Sequence, residues 1–261
     1  MTPTALLLLL AGGAAQASAP SAHETALRAQ TMDTFGPRIL PSEQQLFEGR
    51  MKVTDKVVYG YYPYWAHDLS TIRWDALTHL AWFSVEVNSS GAAINTHGWP
   101  DPETVDAAHA ANVRVDLAFT LFSGDGIKTL VNDPARRAAA ITTMIDLMEQ
   151  GGADGIAIDF EGFVDGTRAG FVTFIAELRA GLDARGHQDA EISMAGPAVD
   201  WGDEWDVAAL LDSADYFFIM GYDYFWSGSG RAGPSGILKM SADYAGVTSW
   251  TATRSVANYA S

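Results

Sequence analysis

The alternation of short apolar segments with longer amphipathic segments is the feature that most restricts how this chain can fold. Runs rich in β-branched and aromatic residues predict strands, and helical patterns fit between them. The predicted strands are 57–62, 77–87, 113–121, 155–161, 191–196 and 216–222, and the clearest predicted helices are 134–149 and 168–184. Repeated strand-helix units of this kind are typical of a parallel sheet covered by helices.

The pattern alone is compatible with an open doubly wound sheet and with a closed barrel. The motif GxxxxGK[ST] does not occur in the sequence, and we interpret the glycine-rich stretch 227–233, which contains one GxGxxG match at 228–233, as a surface loop rather than a phosphate-binding loop. A chain of 261 residues with 48% hydrophobic content is the right size for one α/β barrel. About six strand-helix units are recognisable, so we predict an α/β fold of the (β/α)8 TIM-barrel type that lacks its last units.

The ends of the chain carry different signals. Residues 1–17 contain an apolar run followed by Ala15-Gln16-Ala17, which predicts a signal peptide and a secreted or periplasmic protein. We interpret residues 18–54 as a leader or arm because they lack a clear period, and residues 55–261 as the catalytic domain. The apolar run is too short for a membrane anchor.

The charge balance and the residue types exclude several classes of function. The 32 acidic and 16 basic residues give a net charge of -16, which argues against nucleic acid as a partner. The absence of cysteine excludes a thiol nucleophile, a disulfide framework and a Cys-ligated zinc site. The six histidines are scattered and form no HExxH motif, so we predict no metal and no cofactor; the oligomeric state stays open.

Chemistry is indicated by the segment 152–162. In a strand its side chains alternate, so Ala157, Asp159 and Glu161 share one face while three apolar residues share the other. Two like charges about 6.6 Å apart raise one pKa, which would keep Glu161 protonated as a general acid. A structural acid pair is the alternative, but the carboxyl end of a parallel strand is where barrel active sites gather.

Three motifs in this chain resemble glycoside hydrolase family 18, the chitinases and related endo-N-acetylglucosaminidases. The sequence DGIAIDFE at 154–161 resembles the family's DGxDxDxE, MGYD at 220–223 resembles MxYD, and VYGYYPYW at 58–65 resembles the family's first strand. The resemblance covers about residues 56–261. It implies a retaining hydrolase of β-1,4-linked N-acetylglucosamine polymers such as chitin.

The resemblance also implies roles for individual residues. Glu161 would protonate the glycosidic oxygen, while the 2-acetamido carbonyl of the substrate attacks the anomeric carbon. Asp159 would orient the acetamido N–H, Tyr222 would donate its hydroxyl to the acetamido oxygen, and Asp223 would help to hold the sugar. Sugar-binding floor and wall positions are expected at Tyr61, Phe83, Met220 and Trp226, for which core packing is the alternative.

The chain departs from the family pattern at two places. Ala157 stands where the family has an aspartate thought to exchange a proton with the position of Asp159. The SxGG motif of the third strand is absent, and the nearest stretch is 122–126. Two alternatives therefore stay open: a non-catalytic glycan-binding protein on the same scaffold, and a hydrolase of peptidoglycan or of N-glycan cores.

Overall fold

The computed structural model describes residues 56–66, 68–226, 228–240 and 248–260. The chain divides into two units, and all of these residues belong to the second, Arg50–Ser261. The predicted signal peptide (1–17) and arm (18–54) lie outside the described residues.

One sheet forms the centre of the described part of the chain. Its strands are β1 (Tyr59–Pro63), β2 (His79–Val87), β3 (Ala93–Asn95), β4 (Arg114–Leu121), β5 (Gly155–Phe160), β6 (Glu191–Gly196) and β7 (Tyr216–Ile219). The order is β1-β2-β4-β5-β6-β7, with all of these neighbours parallel, and the short β3 pairs antiparallel with β2. The parallel sheet that the sequence predicts is confirmed.

The helices follow the strands as crossover connections. Among the described residues they are α1 (Pro102–Ala110), α2 (Gly124–Val131), α3 (Pro134–Gly151), α4 (Arg168–Ala184), α5 (Val207–Leu211) and α6 (Ala252–Tyr259), and a 3-10 turn lies at Leu69–Thr71. Helix α3 begins where the Asp133 carboxylate accepts two backbone N–H bonds, and it ends at Gly152 in the left-handed conformation. No helix among the described residues is long and apolar enough to cross a membrane.

The two faces of β5 separate as the alternation predicts. Ile156, Ile158 and Phe160 are fully buried in the large apolar core that the sheet shares with the helices. Ala157 lies on the opposite face, in a small cluster with Ala81 and Ala118. Hydrophobic burial against the helices therefore fixes which face of β5 carries Asp159.

The sheet curls so that its first and last strands approach each other across the inner face. The ring of Phe218 on β7 lies 5.3 Å from the ring of Tyr61 and 6.4 Å from that of Tyr59, both on β1. An open, flat sheet would hold these side chains several strand spacings apart. The described residues thus form the curved wall of a (β/α)8 barrel with six of its eight parallel strands, as predicted.

Several boundaries differ from the prediction. The predicted strand 216–222 ends at Ile219: the backbone N–H of Met220 still bonds to Gly196, but that of Tyr222 turns back to the Met220 carbonyl (2.7 Å), and Asp223 has φ 60°. The short elements β3, α1, α2 and α5 were not among the predicted elements, because none is long enough to show a clear period. The pattern of residues 251–261 also predicts a helix, and the structure confirms it as α6 (Ala252–Tyr259).

Candidate active site

Asp159 and Glu161 lie at the carboxyl end of β5, the central strand of the sheet. Asp159 is opposite Thr120 in the register with β4, and the backbone N–H of Glu161 continues the ladder by donating to the Leu121 carbonyl (3.1 Å). The chain leaves the sheet directly afterwards at Gly162, which has φ 84°. Both carboxyls are thus carried by rigid strand backbone at the edge where barrel active sites form.

Asp159 is buried, with 5% of its surface exposed. Its Oδ1 atom accepts no hydrogen bond from the described residues. Burial, and to a lesser degree the charge of Glu161, raises the pKa of Asp159 well above its usual value. The pair therefore retains a proton at a pH where an exposed aspartate has lost it.

Tyr222 and Tyr61 lie within electrostatic reach of the carboxyl pair. Burial raises the pKa of Tyr222, and the charges of Glu161 and Asp159 raise it further. The pKa of Tyr61 is raised by burial and then by Asp159. Both hydroxyls therefore stay protonated near neutral pH and can donate hydrogen bonds. The structure brings together four of the predicted site residues from β1, β5 and the segment after β7.

A cavity of about 310 Å³ opens beside Glu161. Glu161 and Met220 line it, together with residues from the loops that follow β5 and β6. Its size is at the lower end of the range for small-molecule sites, about 300–1,000 Å³. A ligand in this cavity would touch Glu161, whereas Asp159 and Tyr222 lie outside the lining.

The other predicted residues are distributed around this centre. Phe83 packs against Tyr61 (ring centroids 6.2 Å apart). It is partly buried and also packs against the alanine cluster on the inner face of the sheet. Asp223 is exposed and accepts a hydrogen bond from Ser235 (3.2 Å). Trp226 is 65% exposed and does not line the cavity. Contact of these three side chains with a sugar stays a prediction.

One contributor to the site was not identified from the sequence. Helix α2 begins at Gly124, and a Cβ atom there would lie 2.2 Å from the carbonyl oxygen of Gly162. The loop after β4 therefore packs directly against the loop that follows Glu161, with no room for a side chain between them. The glycine-rich stretch 122–126 was the available signal, but its contact with residue 162 depends on the register of β4 and β5.

A second group of charged residues lies at the opposite, amino end of the inner face. Glu191, the first residue of β6, forms ion pairs with His79 (2.9 Å) and Arg114 (2.8 Å), and it accepts a hydrogen bond from Tyr216 (3.1 Å). Burial acts to raise the pKa of Glu191, but these bonds outweigh it and leave that pKa below its usual value. This carboxylate is held in its ionised form.

Between the two ends lies a fully buried carboxyl, Asp116 on β4. Its Oδ2 atom accepts hydrogen bonds from Tyr59 (2.7 Å) and Ser193 (3.1 Å). Burial raises the pKa of Asp116 to about 6, although the two hydroxyl groups oppose that effect. A Cβ atom on Gly155 would lie 2.4 Å from Asp116 Oδ1, so the carboxyl occupies space that only glycine leaves free.

Metal binding finds no support in the described residues, which contain no group of three or more His, Cys, Asp or Glu side chains able to hold an ion. The chemistry of the site depends on carboxyl and hydroxyl groups. Paired carboxyls at the carboxyl end of a parallel barrel strand are typical of barrel glycoside hydrolases. The model of the family Glycosyl hydrolases family 18 matches residues 57–261, and the chain belongs to this family.

Relatives and solved structures agree with this assignment. The chain is 30% identical over 113 residues to Bacillus subtilis YdhD, which carries the name of a sporulation-specific glycosylase, and 26% identical over 200 residues to a chitinase-like effector of Moniliophthora roreri. These alignments cover 41% and 69% of this chain but only 26% and 48% of the two relatives. The chain thus spans less than half the length of the curated relatives it matches.

Among solved structures, catalytic domain 2 of the Ostrinia furnacalis Group II chitinase superposes with a TM-score of 0.68 at 22% identity, over 78% of this chain and 60% of that one. A chitinase from Bacteroides thetaiotaomicron superposes with a TM-score of 0.55 at 22% identity, over 72% and 59% of the two chains. At these identities the likeness supports the barrel fold.

Proposed function

We propose that this protein is a retaining glycosidase that cleaves β-1,4-linked N-acetylglucosamine polymers, with the acetamido group of the substrate as the nucleophile. The observation that carries the proposal is the pairing of buried Asp159 with Glu161, beside a cavity that Glu161 lines and within reach of Tyr222. No enzyme carboxylate needs to attack the sugar in this mechanism, which is an exception among glycosidases.

Each group has a role that its environment supports. Glu161 borders the cavity, so it can give its proton to a glycosidic oxygen that bridges the sugars on its two sides. The buried Oδ1 atom of Asp159, which has no partner among the described residues, can accept the acetamido N–H. That bond orients the carbonyl oxygen for attack, and the charge of Asp159 stabilises the cationic oxazolinium intermediate.

Tyr222 and Glu161 act in the second half of the proposed reaction. Because its pKa is raised, the hydroxyl remains a donor and can hold the acetamido oxygen. Glu161, now deprotonated, then takes a proton from water, which attacks the anomeric carbon and restores both the enzyme and the original anomeric configuration. Two inversions at one carbon give retention.

A product assay tests this function. Chitin oligomers and peptidoglycan are incubated with the protein, and the anomer that forms first is followed by NMR. We expect cleavage of the chitin oligomers with retained configuration, inhibition by a cyclic oxazoline mimic, and no cleavage of plain glucose polymers. Comparable cleavage of cellulose, or an inverted product, contradicts substrate assistance.

A non-catalytic glycan-binding protein is the second candidate, and Ala157 is the observation that favours it. Loss of one carboxyl from the family motif removes a partner with which Asp159 could share a proton. Binding of oligomers without any product, under conditions where the folded state is verified, would select this candidate. Cleavage of peptidoglycan or of N-glycan cores would assign a different substrate to the same hydrolase.

We also propose that the protein acts outside the cytoplasm, in the periplasm or the medium. The support is the apolar run and the small residues Ala15 and Ala17 near the start of the sequence. Mass spectrometry of the N-terminus tests it: a mature chain beginning at Ser18 is expected, and an intact leader contradicts it.

A further inference from the structure

The cavity beside Glu161 is unusually acidic for a site that would hold neutral sugars. Its lining contains the carboxylates of Glu161, Asp165, Asp200 and Glu204, and no lysine, arginine or histidine among the described residues that line it. A cavity of about 310 Å³ with this lining has a negative potential, which the net charge of -16 reinforces.

Two basic side chains near the cavity, Arg168 and Lys128, do not pair with the described carboxylates that line it. Arg168 pairs with Asp203 (2.7 Å) and Asp206 (3.3 Å), neither of which lines the cavity. Lys128 is exposed on α2 and donates to the backbone carbonyl of Asp165 (2.8 Å) instead of its carboxylate. In the described part of the chain, neither Asp165 nor Glu204 forms an ion pair.

Asp200 holds the loop after β6 in place. Its two carboxylate oxygens accept hydrogen bonds from the backbone N–H groups of Glu204 (3.0 Å) and Trp205 (2.9 Å). Both bonds tie the carboxylate to the backbone of its own loop. The same turn brings Glu204 to the cavity wall.

An aromatic side chain lines the same cavity. Trp201 is 80% exposed, and its ring meets that of Trp250 edge-on at 5.6 Å. Arg254 stacks on Trp250 (4.4 Å) and is not a lining residue. The indole of Trp201 is exposed and also in contact with Trp250. It offers an apolar face to a sugar ring and attracts cations through its π electrons.

The position of the cavity relative to the acid decides which sugar enters it. Under the proposed function, Asp159 and Tyr222 hold the acetamido sugar whose bond is cleaved, and neither lines the cavity. Glu161 protonates the bridging oxygen and does line it. A sugar in the cavity would thus meet the proton donor without meeting the groups that hold the cleaved sugar, as the leaving group does.

We propose that this cavity is a leaving-group subsite that prefers glucosamine, a cationic amino sugar, so that the substrate class is partly deacetylated chitin. This inference rests on the proposed function. The sugar ammonium lies among the carboxylates of Asp165, Asp200 and Glu204, and its ring stacks on Trp201. Glycans with anionic substituents, such as the lactyl and peptide carboxylates of peptidoglycan, are repelled from the same place.

Sequencing of the products tests the inference. Chitosan in which about half of the amines are acetylated, in random order, is digested to a low extent at low salt and below the pKa of the sugar amine. The sugar at each new reducing end and each new non-reducing end is then identified by NMR and mass spectrometry. We expect N-acetylglucosamine at the new reducing ends and roughly a tenfold excess of glucosamine at the new non-reducing ends, since several partly exposed ion pairs act together.

Variants test whether the preference for glucosamine depends on the carboxylates that line the cavity. The double variant Asp165→Asn/Glu204→Gln is expected to lose most of the glucosamine excess, and Trp201→Ala to weaken binding of both sugars. Glu103→Gln removes an exposed carboxylate on α1, away from the cavity, and should keep the excess. Raising the salt to about 1 M should reduce the excess in the wild type, because the charges are partly exposed.

The two proposals fail in different ways. Cleavage with N-acetylglucosamine at the new reducing ends but no glucosamine excess at the non-reducing ends overturns the subsite and leaves the glycosidase intact. An excess that the double variant keeps also overturns it. No cleavage, or glucosamine at the new reducing ends, contradicts the proposed function itself.

Discussion

Each end of the inner sheet face carries a buried or partly buried carboxyl group, and the pKa of that group is shifted in opposite directions at the two ends. At the amino end, Glu191 is bonded to His79 and Arg114, which lower its pKa against the effect of burial. At the carboxyl end, burial and the charge of Glu161 raise the pKa of Asp159. An acid bonded to basic side chains, as Glu191 is, is held as an anion and links the strands that carry those side chains. An acid beside a second acid shares a proton with it and keeps an open lone pair, which is what proton-transfer chemistry needs.

The largest expected effect concerns the carboxyl end. Glu161→Gln keeps the shape of the side chain but removes the acidic proton, so kcat on chitin oligomers should fall by about a hundredfold to ten-thousandfold. Calorimetric binding of the oligomer should survive, since the cavity is unchanged. Unaltered turnover would remove Glu161 from the mechanism.

The next effect concerns Asp116, which lies between the two ends. Its folded pKa of about 6 is above the unfolded value, so the unfolded chain loses this proton first as pH rises. The free energy of unfolding should therefore fall between pH 4 and 7 by up to about 3 kcal/mol on account of this group. Asp116→Asn should lack that component, measured by urea unfolding at both pH values with Glu103→Gln as the control. The same pH dependence in wild type and Asp116→Asn would contradict it.

Glu191→Gln tests whether the amino end is purely structural. Because its pKa is lowered in the folded state, Glu191 stabilises the fold at any pH above the pKa that it has in the unfolded chain. This contribution is lost as the pH falls through the folded-state pKa. At pH 7 the variant should be less stable by about 1–2 kcal/mol, the typical value of partly exposed bonds to a charged group. The difference from wild type should close below about pH 4, and kcat should not change. A large loss of kcat in the folded variant would contradict the interpretation that the amino end is structural and only the carboxyl end is catalytic.

The smallest expected effect comes from Ala157, which is buried one strand repeat before Asp159. Ala157→Asp would give Asp159 a carboxyl with which to share a proton. A change of one pKa unit corresponds to about 1.4 kcal/mol, so turnover should rise about tenfold and the pH optimum should shift. A folded variant with the same rate and the same pH profile would show that the site does not use such a relay.

Local periodicity explains what could be predicted from the sequence. Strand β5 has a period of two, so the shared face of Asp159 and Glu161 follows from the sequence alone. The parallel order follows from repeated strand-helix units. The short β3 could not be predicted in this way: it has three residues and depends on the turn at 88–91, where Gly91 has φ 85°.

Contacts between strands explain what could not be predicted. Asp116 meets Tyr59 and Ser193 only because β1 and β6 flank the curled inner face, and these residues are 57 and 77 positions away in the sequence. The acidic lining of the cavity likewise combines two loops. Alternation within one strand identifies a face, but the register between strands decides which side chains meet on it.

The contact of Gly124 with Gly162 has a consequence for engineering. Because no side chain fits between the two loops, a larger residue at position 124 would push against the backbone that directly follows Glu161 and displace the acid. A library designed to change substrate choice should leave these two glycines untouched and vary the loop around Trp201. There, the exposed surface accepts new side chains without displacing the proton donor.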